Sequence, residues 1–474
     1  MAGPRKSEGR QDEDKAKHPK FQARATCMAF AFGAGPSLFR KVWLMASSMS
    51  LKACMFAVVW GLAGCHSDAQ SPAEREPPPP GTLVTSEKDR VKSPSVSDTD
   101  FAALVSGNTD FGVALYRRVT EPGKNAAVSP LSVTRAFSLV YAGARGDTQS
   151  QMARVLGFTL PAEHLHPALN RLDLALQEQV GQAHGDEGPA PTFRAVNALW
   201  GQQGYRFEPS YLDVLAEHHG AGLRSVDFTV DPDGVCRAIN DWVSGVTADR
   251  IQDLIPQGEV RADTRLVLAN ALYFKGAWRT PFQAQATSPK TFHGLTGGTT
   301  QVPMMHTSWS FPFTHGEGYD AIALPYVGRA FRMLVIVPDA GRFQEVEQRL
   351  SAAFLDSVRA NLSEQPMLLR FPRFEVKQSA ALVDALRSLG MEDAFSDRAD
   401  LSGITRQEQL MLSGAQHQAF VAVDEAGTEA AAATAIEGVP ASLPPEVHVD
   451  RPFVFVIEEV ATKSVLFLGR VVSP

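Results

Sequence analysis

Residues 425–445 read EAGTEAAAATAIEGVPASLPP, and no other stretch narrows the choice of fold as much. They lie between two runs of strand composition, QAFVAVD at 418–424 and PFVFVIE at 452–458. A connection this long inside a compact domain is uncommon, and is usually functional or disordered. In an extended chain, side chains alternate between faces. Thr428, Ala430, Ala432, Thr434, Ile436 and Gly438 then share one face, while Glu429, Ala431, Ala433, Ala435 and Glu437 share the other. The first face is small and uncharged, so the segment can slide into a sheet without burying a charge. Alanine is also the best helix former, and Glu429 and Glu437 would lie near each other on a helix as well. Periodicity alone leaves inserted strand and surface helix both open.

The rest of the chain supplies the sheet. Further strand-like runs rich in Val, Phe and Leu occupy 194–200, 265–274, 332–337, 367–375 and 464–472, as strand propensity favours. Helical spacing begins near Phe101, with Leu104, Val105, Phe111 and Leu115 on one face. Ser129-Pro130 opens a second helix, because Pro is tolerated in the first turn; Gly143 and Gly146 punctuate its end. Helices concentrate in the first third and strands in the remainder, which predicts an α+β fold rather than alternating α/β.

Several function classes are disfavoured. A net charge of -7 argues against a general nucleic-acid binder, which needs clustered Lys and Arg. There is no GxSxG elbow, HExxH or P-loop. His164 and His166 beside Glu163 match no metal spacing, and the adjacent His218 and His219 point in different directions, so no metal or cofactor is expected. Cys27, Cys54, Cys65 and Cys236 form no CxxC pair and no disulfide framework; Cys236 reads as a small buried hydrophobe.

The N-terminal part reads as an export signal. Lys52 precedes the apolar stretch ACMFAVVWGLAG at 53–64, which ends in small residues before Cys65. Leu62-Ala63-Gly64-Cys65 resembles the lipobox of bacterial lipoproteins, which implies a lipid on Cys65. His66 in the next position, by the same resemblance, points to an outer-membrane or cell-surface location, or otherwise to a secreted protein. Because signal peptides rarely begin so far into a chain, translation is expected to start at Met45 or Met49, giving residues 1–64 as an upstream segment plus signal peptide. The stretch at 26–39 is a competing signal without an equally good cleavage site. Residues 65–100 carry PPPP at 77–80 and almost no large apolar groups, which predicts a disordered, Pro-rich stalk.

The stretch from Glu425 to Thr434 matches the serpin hinge E-x-G-T-E-A-A-A-A-T at every defined position. NALYFKGAW at 270–278, SPLSVTRAFSLVYAGARGDT at 129–148, VPMM at 302–305, DRPFVFVI at 450–457 and FLGRVV at 467–472 also resemble serpin segments, in the family's order. The resemblance covers 101–474 and implies one domain with three β-sheets, eight to nine helices and an exposed reactive loop near the C-terminus. It implies a monomeric, non-enzymatic inhibitor of serine proteases that holds its target as a covalent acyl complex, the cut loop entering the central sheet. By alignment of the trailing S-x-P-P-E-V the scissile bond lies between Ala441 and Ser442. The hinge comprises Glu425, Gly427, Thr428, Glu429, Ala430, Ala431, Ala432, Ala433 and Thr434, with no bulky, charged or proline residue between Gly427 and Ala435 apart from Glu429 on the outer face. Ser129, Ser132, Asn270 and His417 match the family's buried polar shutter, and Trp278 matches the tryptophan where the loop enters. No strong basic cluster marks 159–193, so activation by heparin-like polyanions is not expected. The alternatives are a non-inhibitory serpin acting as a binding or chaperone module, and an exported hydrolase.

Overall fold

The computed structural model describes residues 78–182, 188–428 and 445–474. Among these, the chain runs β1 (Thr82–Val84), α1 (Asp98–Val119), β2 (Ala126–Val128), α2 (Pro130–Tyr141), α3 (Gly146–Leu156), α4 (Ala162–Gln182), β3 (Thr192–Gln202), α5 (Pro209–Val214), β4 (Leu223–Val226), α6 (Pro232–Val246) and β5 (Leu266–Ala277). It continues with β6 (Ser288–His293), β7 (Thr299–Gly316), β8 (Tyr319–Pro325), β9 (Phe331–Pro338), α7 (Phe343–Gln348), α8 (Ala352–Asn361), β10 (Ser363–Pro372), β11 (Phe374–Ala381) and α9 (Leu382–Leu389). The last strands are β12 (Ala415–Val423), β13 (Gly427–Thr428), β14 (Glu446–His448), β15 (Phe453–Glu459) and β16 (Val465–Val471).

The helix starts follow from side-chain chemistry. Ser97 caps α1, its hydroxyl accepting from Asp100 N at 3.0 Å. Asp98 and Asp100 in the first turn and Arg117 and Arg118 in the last complement the helix dipole. Ser129 caps α2 ahead of Pro130, as the sequence predicts. The helix ends at Tyr141, and Gly146 opens α3 instead of closing α2.

Two hydrogen-bonded sheets organise the described residues. One has the order β1-β4-β3-β5-β13-β12-β11; the other runs β14-β10-β7-β8-β9-β15-β16-β2, with β6 also paired to β7. The resemblance implies three sheets. The 18-residue β7 joins two of them, carrying β6 and β10 along 299–313 and passing to β8 at Phe313. The first sheet is central and covered on both faces. Leu266, Leu268 and Leu272 of β5 enter the main core, whereas Val267, Ala269 and Ala271 face a smaller cluster with Ile239 and Val243 of α6. A strand buried on both sides reads as a continuous apolar run, which is why 265–274 is conspicuous in the sequence.

The sequence reading and the structure part company in three further places. The run 367–375 is two strands, β10 and β11, separated at Arg373. β6 and β7 escape sequence reading because their burial is broken by exposed and polar positions; β8 is mostly buried, but its apolar run is only Ala321–Leu324, between Asp320 and Pro325. Residues 78–100, read as part of a disordered stalk, are instead held on the body: β1 pairs antiparallel with β4. Backbone pairing and ion pairs hold them, and of their few apolar side chains Val84 and Val96 pack against the main core, so composition gives little warning. Residues 65–77, with Cys65, lie outside the described residues.

Where α1 crosses the end of α3, two glycines bring backbones together. A Cβ on Gly107 would lie 2.2 Å from the Gly157 carbonyl oxygen, and Gly157 itself sits at φ +69. Gly107→Ala should therefore destabilise the uncleaved form by about 1–3 kcal/mol, the usual cost of overpacking, seen as a lower urea midpoint; an unchanged midpoint would mean the helices can separate freely here.

Candidate functional site

The central sheet contains a partial opening. β5 and β12 pair in parallel from Leu268↔Ala415 to Leu272↔Ala419. Above that ladder the strands part, and β13 occupies the gap, antiparallel to both: Thr428 faces Val423 on one side and Gly276 on the other, and Gly427 faces Ala277. The chain reverses from β12 into β13 through a tight turn. Asp424 Oδ1 accepts from Ala426 N at 2.8 Å and Gly427 N at 3.1 Å, and Asp424 N donates to Gly427 O at 2.9 Å. Gly427 has φ 155, a region open essentially to glycine.

A second ring of contacts fixes the hinge. Trp278 Nε1 donates to Asp424 O at 3.0 Å and Trp278 N to Ala426 O at 2.8 Å. Phe282 N donates to Glu425 O at 2.8 Å. Tyr326 stacks on Trp278 with centroids 4.7 Å apart, and its hydroxyl lies 2.7 Å from Thr428 Oγ1. Burial pushes the Tyr326 hydroxyl up, so it stays protonated. Glycine at 276 leaves space for this ring, since a Cβ there would lie 2.8 Å from it. The Glu425 carboxylate bonds Thr287 and receives Arg373 Nε at 2.7 Å and Nη2 at 2.6 Å. Burial works against its charge, but Arg373 and Thr287 hold its pKa below the ordinary value.

Below the opening, a buried polar chain spans the ladder. His417 is fully buried, and it is the register partner of Asn270. Its Nε2 accepts from Ser129 N at 3.0 Å, so the proton sits on Nδ1, which donates to Asn270 Oδ1 at 2.9 Å. Asn270 Nδ2 donates to Ser132 O at 2.7 Å and also bonds the Ser132 hydroxyl. Burial depresses the His417 pKa to about 4, and a second proton would replace the acceptor facing Ser129 N–H with another donor.

Of the residues singled out in the sequence, Ser129, Ser132, Asn270 and His417 form one connected chain, and Trp278 touches the turn that leads to Gly427 and Thr428. Glu429, Ala430, Ala431, Ala432, Ala433, Thr434, Ala441 and Ser442 lie outside the described residues. Sequence reasoning missed Thr287, Tyr326 and Arg373. They are far from the hinge along the chain, and no local pattern marks them. Among the described residues, no group of His, Cys, Asp and Glu could hold a metal ion, and no helix is long and apolar enough to cross a membrane.

The His417 pKa fixes a sign. An unfolded histidine titrates near ~6.5, above the folded value of about 4. The unfolded chain therefore binds the proton more tightly, and stability is lost as pH falls from about 6.5 towards 4. At ~1.4 kcal/mol per pKa unit, His417 contributes on the order of 3 kcal/mol across that window. Thermal midpoints of the uncleaved protein measured against pH should show this loss, and His417→Gln should remove that part of the slope. Parallel curves for the two proteins would contradict the assignment.

Comparison with known proteins matches this arrangement to one family. A family model described as Serpin (serine protease inhibitor) matches residues 106–474. The chain is 35% identical over 387 residues to a leukocyte elastase inhibitor of Bos taurus, covering 78% of this chain and 99% of that one. It is also 35% identical over 376 residues to an uncharacterized serpin-like protein of Thermococcus kodakarensis, covering 78% and 86%. The crystal structure of uncleaved ovalbumin superposes with a TM-score of 0.68 at 26% identity, covering 78% of this chain and all of that one. With the match running from within α1 to the C-terminus, and relatives aligned over nearly their whole length, this chain belongs to the serpin family.

Proposed function

We propose that this serpin inhibits serine proteases as a suicide substrate. The observation that carries the reading is β13, two residues of the hinge already seated between β5 and β12. Directly after it the sequence continues EAAAATAIEGVPA, in which Ala430, Ala432 and Thr434 extend the face begun by buried Thr428. The protease serine attacks the carbonyl carbon of Ala441, and the peptide bond to Ser442 breaks. The amine of Ser442 leaves with the C-terminal portion, and Ala441 stays on the protease as an ester. The freed end then extends β13 down the sheet. From Gly427 to Ala441 is 14 residue steps, about 45 Å at ~3.3 Å per step, enough to carry the attached protease across the body.

The cost of insertion is local. The pairs from Leu268↔Ala415 to Leu272↔Ala419 must separate, and the His417–Asn270 bond must break. An inserted strand replaces each lost backbone bond with two ladders, one on either side. Ala441 is small, and a small side chain suits a shallow specificity pocket better than a deep acidic one; we therefore assign elastase-like or subtilisin-like proteases as targets. The relative named leukocyte elastase inhibitor agrees with that direction.

Mixing the protein with an elastase-like protease should give a covalent band at the summed mass on denaturing gels, with a released peptide beginning at Ser442. Cleavage without that band would favour a non-inhibitory serpin. Thr428→Arg offers a sharper test. It places an unpaired charge where Thr428 is 1% exposed. The charge should drive residues 427–428 out of the sheet in the uncut protein, and reburying it during insertion costs several kcal/mol, so insertion should slow by ~100-fold or more at ~1.4 kcal/mol per decade. The variant should be cut after Ala441 and release the protease.

We propose further that the chain is exported as a monomer and tethered by lipid on Cys65. The support is the Leu62-Ala63-Gly64-Cys65 motif after an apolar stretch. Labelling with a tagged fatty acid should mark the wild type and not Cys65→Ser; equal labelling of both would remove Cys65 as the anchor.

A further inference from the structure

Residues 78–91 precede the part of the chain that matches the family, and they are bound to the body along their length. At one end they join the central sheet. Thr82, Leu83 and Val84 pair with Ser225, Arg224 and Leu223 of β4. Trp200 of β3, fully buried, donates from Nε1 to Pro80 O at 3.0 Å, and Arg224 Nη1 donates to Pro79 O at 3.1 Å. At the other end they join helices. Ser86 Oγ donates to Asp213 of α5 at 2.6 Å, and Lys88 lies 3.3 Å from Asp213 and 3.1 Å from Glu217. Arg90 reaches α4, with Nε 2.9 Å from Asn170 Oδ1 and Nη2 2.5 Å from Asp173 Oδ2. Asp173 is buried and also pairs with Arg135 of α2, the helix whose first turn carries Ser132.

The body is shaped to receive this strap. A Cβ on Gly222 would lie 2.6 Å from Val84 O, and one on Gly220 would lie 2.8 Å from Arg90 Cδ. A larger residue at 222 would collide with the strap's backbone, and one at 220 would displace the Arg90 side chain.

We propose that this N-terminal strap is a clamp in cis on the half of the central sheet that slides when the loop inserts. The inference rests on the insertion reading above. Admitting a strand between β5 and β12 moves the two halves of the sheet apart by about 4.8 Å, one strand spacing. β1, β4, β3 and β5 form one hydrogen-bonded block. The strap ties the outer edge of that block to Asp213 of α5 and Glu217 through Lys88, at 3.1–3.3 Å, and to α4 through Arg90, at 2.5–2.9 Å, and from there through Asp173 to α2. Contacts of that length do not survive a shift of a whole strand spacing. Opening the sheet on this side therefore breaks the strap's ion pairs as well as the β5–β12 ladder, and the strap raises the barrier to opening.

The test uses the full chain with Arg90→Ala, and separately with Ser86→Ala and Lys88→Ala together. Neither variant touches the loop, the hinge or the buried His417 chain. The readout is the rate at which the uncut protein takes up a synthetic peptide spelling residues 428–441, followed on native gels. Release of the clamp should speed uptake by about tenfold, since charge-assisted bonds of this kind are lost. Hydrogen exchange at 82–84 reports whether the strap has come free. A freed strap with uptake within about twofold of wild type would overturn the clamp. If Arg90→Ala fails to fold, the double variant carries the same comparison. A wild type that takes up no peptide and gains no thermal stability on loop cleavage would overturn the insertion reading itself, and the clamp with it. A wild type that does both while the variants stay unchanged would overturn the clamp alone.

Discussion

β5 and β12 are joined by a parallel ladder from Leu268 to Leu272 on one side and Ala415 to Ala419 on the other, and then they separate. Both strands are buried on both faces, so the region above the ladder cannot be left to water. Buried backbone groups need partners. Gly427 and Thr428 supply them by entering as β13. The rest of the site follows from that requirement. The chain must reverse sharply after β12, which sets Asp424 and Gly427 in place, and the turn must be held against the sheet, which brings in Trp278, Phe282 and the Arg373–Glu425 pair.

The residues that were legible in the sequence are those whose roles are local or patterned. β5 announces itself as an unbroken apolar run, and the Ser129-Pro130 cap is visible because capping uses neighbours. The small face of 428–438 is visible because strand periodicity is two. Tyr326 and Arg373 were invisible for the opposite reason. Tyr326 is 102 positions from Thr428 and Arg373 is 52 from Glu425, and each looks alone like an ordinary strand-end residue. The strap was misread because composition weighs apolar burial, whereas its ties are a three-residue edge pairing and the pairs made by Lys88 and Arg90.

Each half of the sheet is held together by a long ladder of its own. On one side β11 and β12 pair along eight register positions, from Phe374↔Val423 to Ala381↔Gln416. On the other, β3 and β5 pair along ten, from Thr192↔Lys275 to Gly201↔Leu266. Between these two long ladders lies the short one. A strand that continues from β13 meets only these five pairs, flanked by ladders of eight and ten.

The choice of polar residues at that weak joint has a physical consequence. Had positions 270 and 417 been Leu and Val, the joint would gain burial of apolar surface, at ~25 cal/mol per Å², and opening it would expose a gap that only apolar groups could refill. With Asn270 and His417 the joint is held by directional bonds, His417 to Asn270 and Ser129, and Asn270 to Ser132. These groups cannot be left buried and unpaired, so parting β5 from β12 forfeits directional bonds as well as the ladder, and the joint resists partial opening more sharply than an apolar one would.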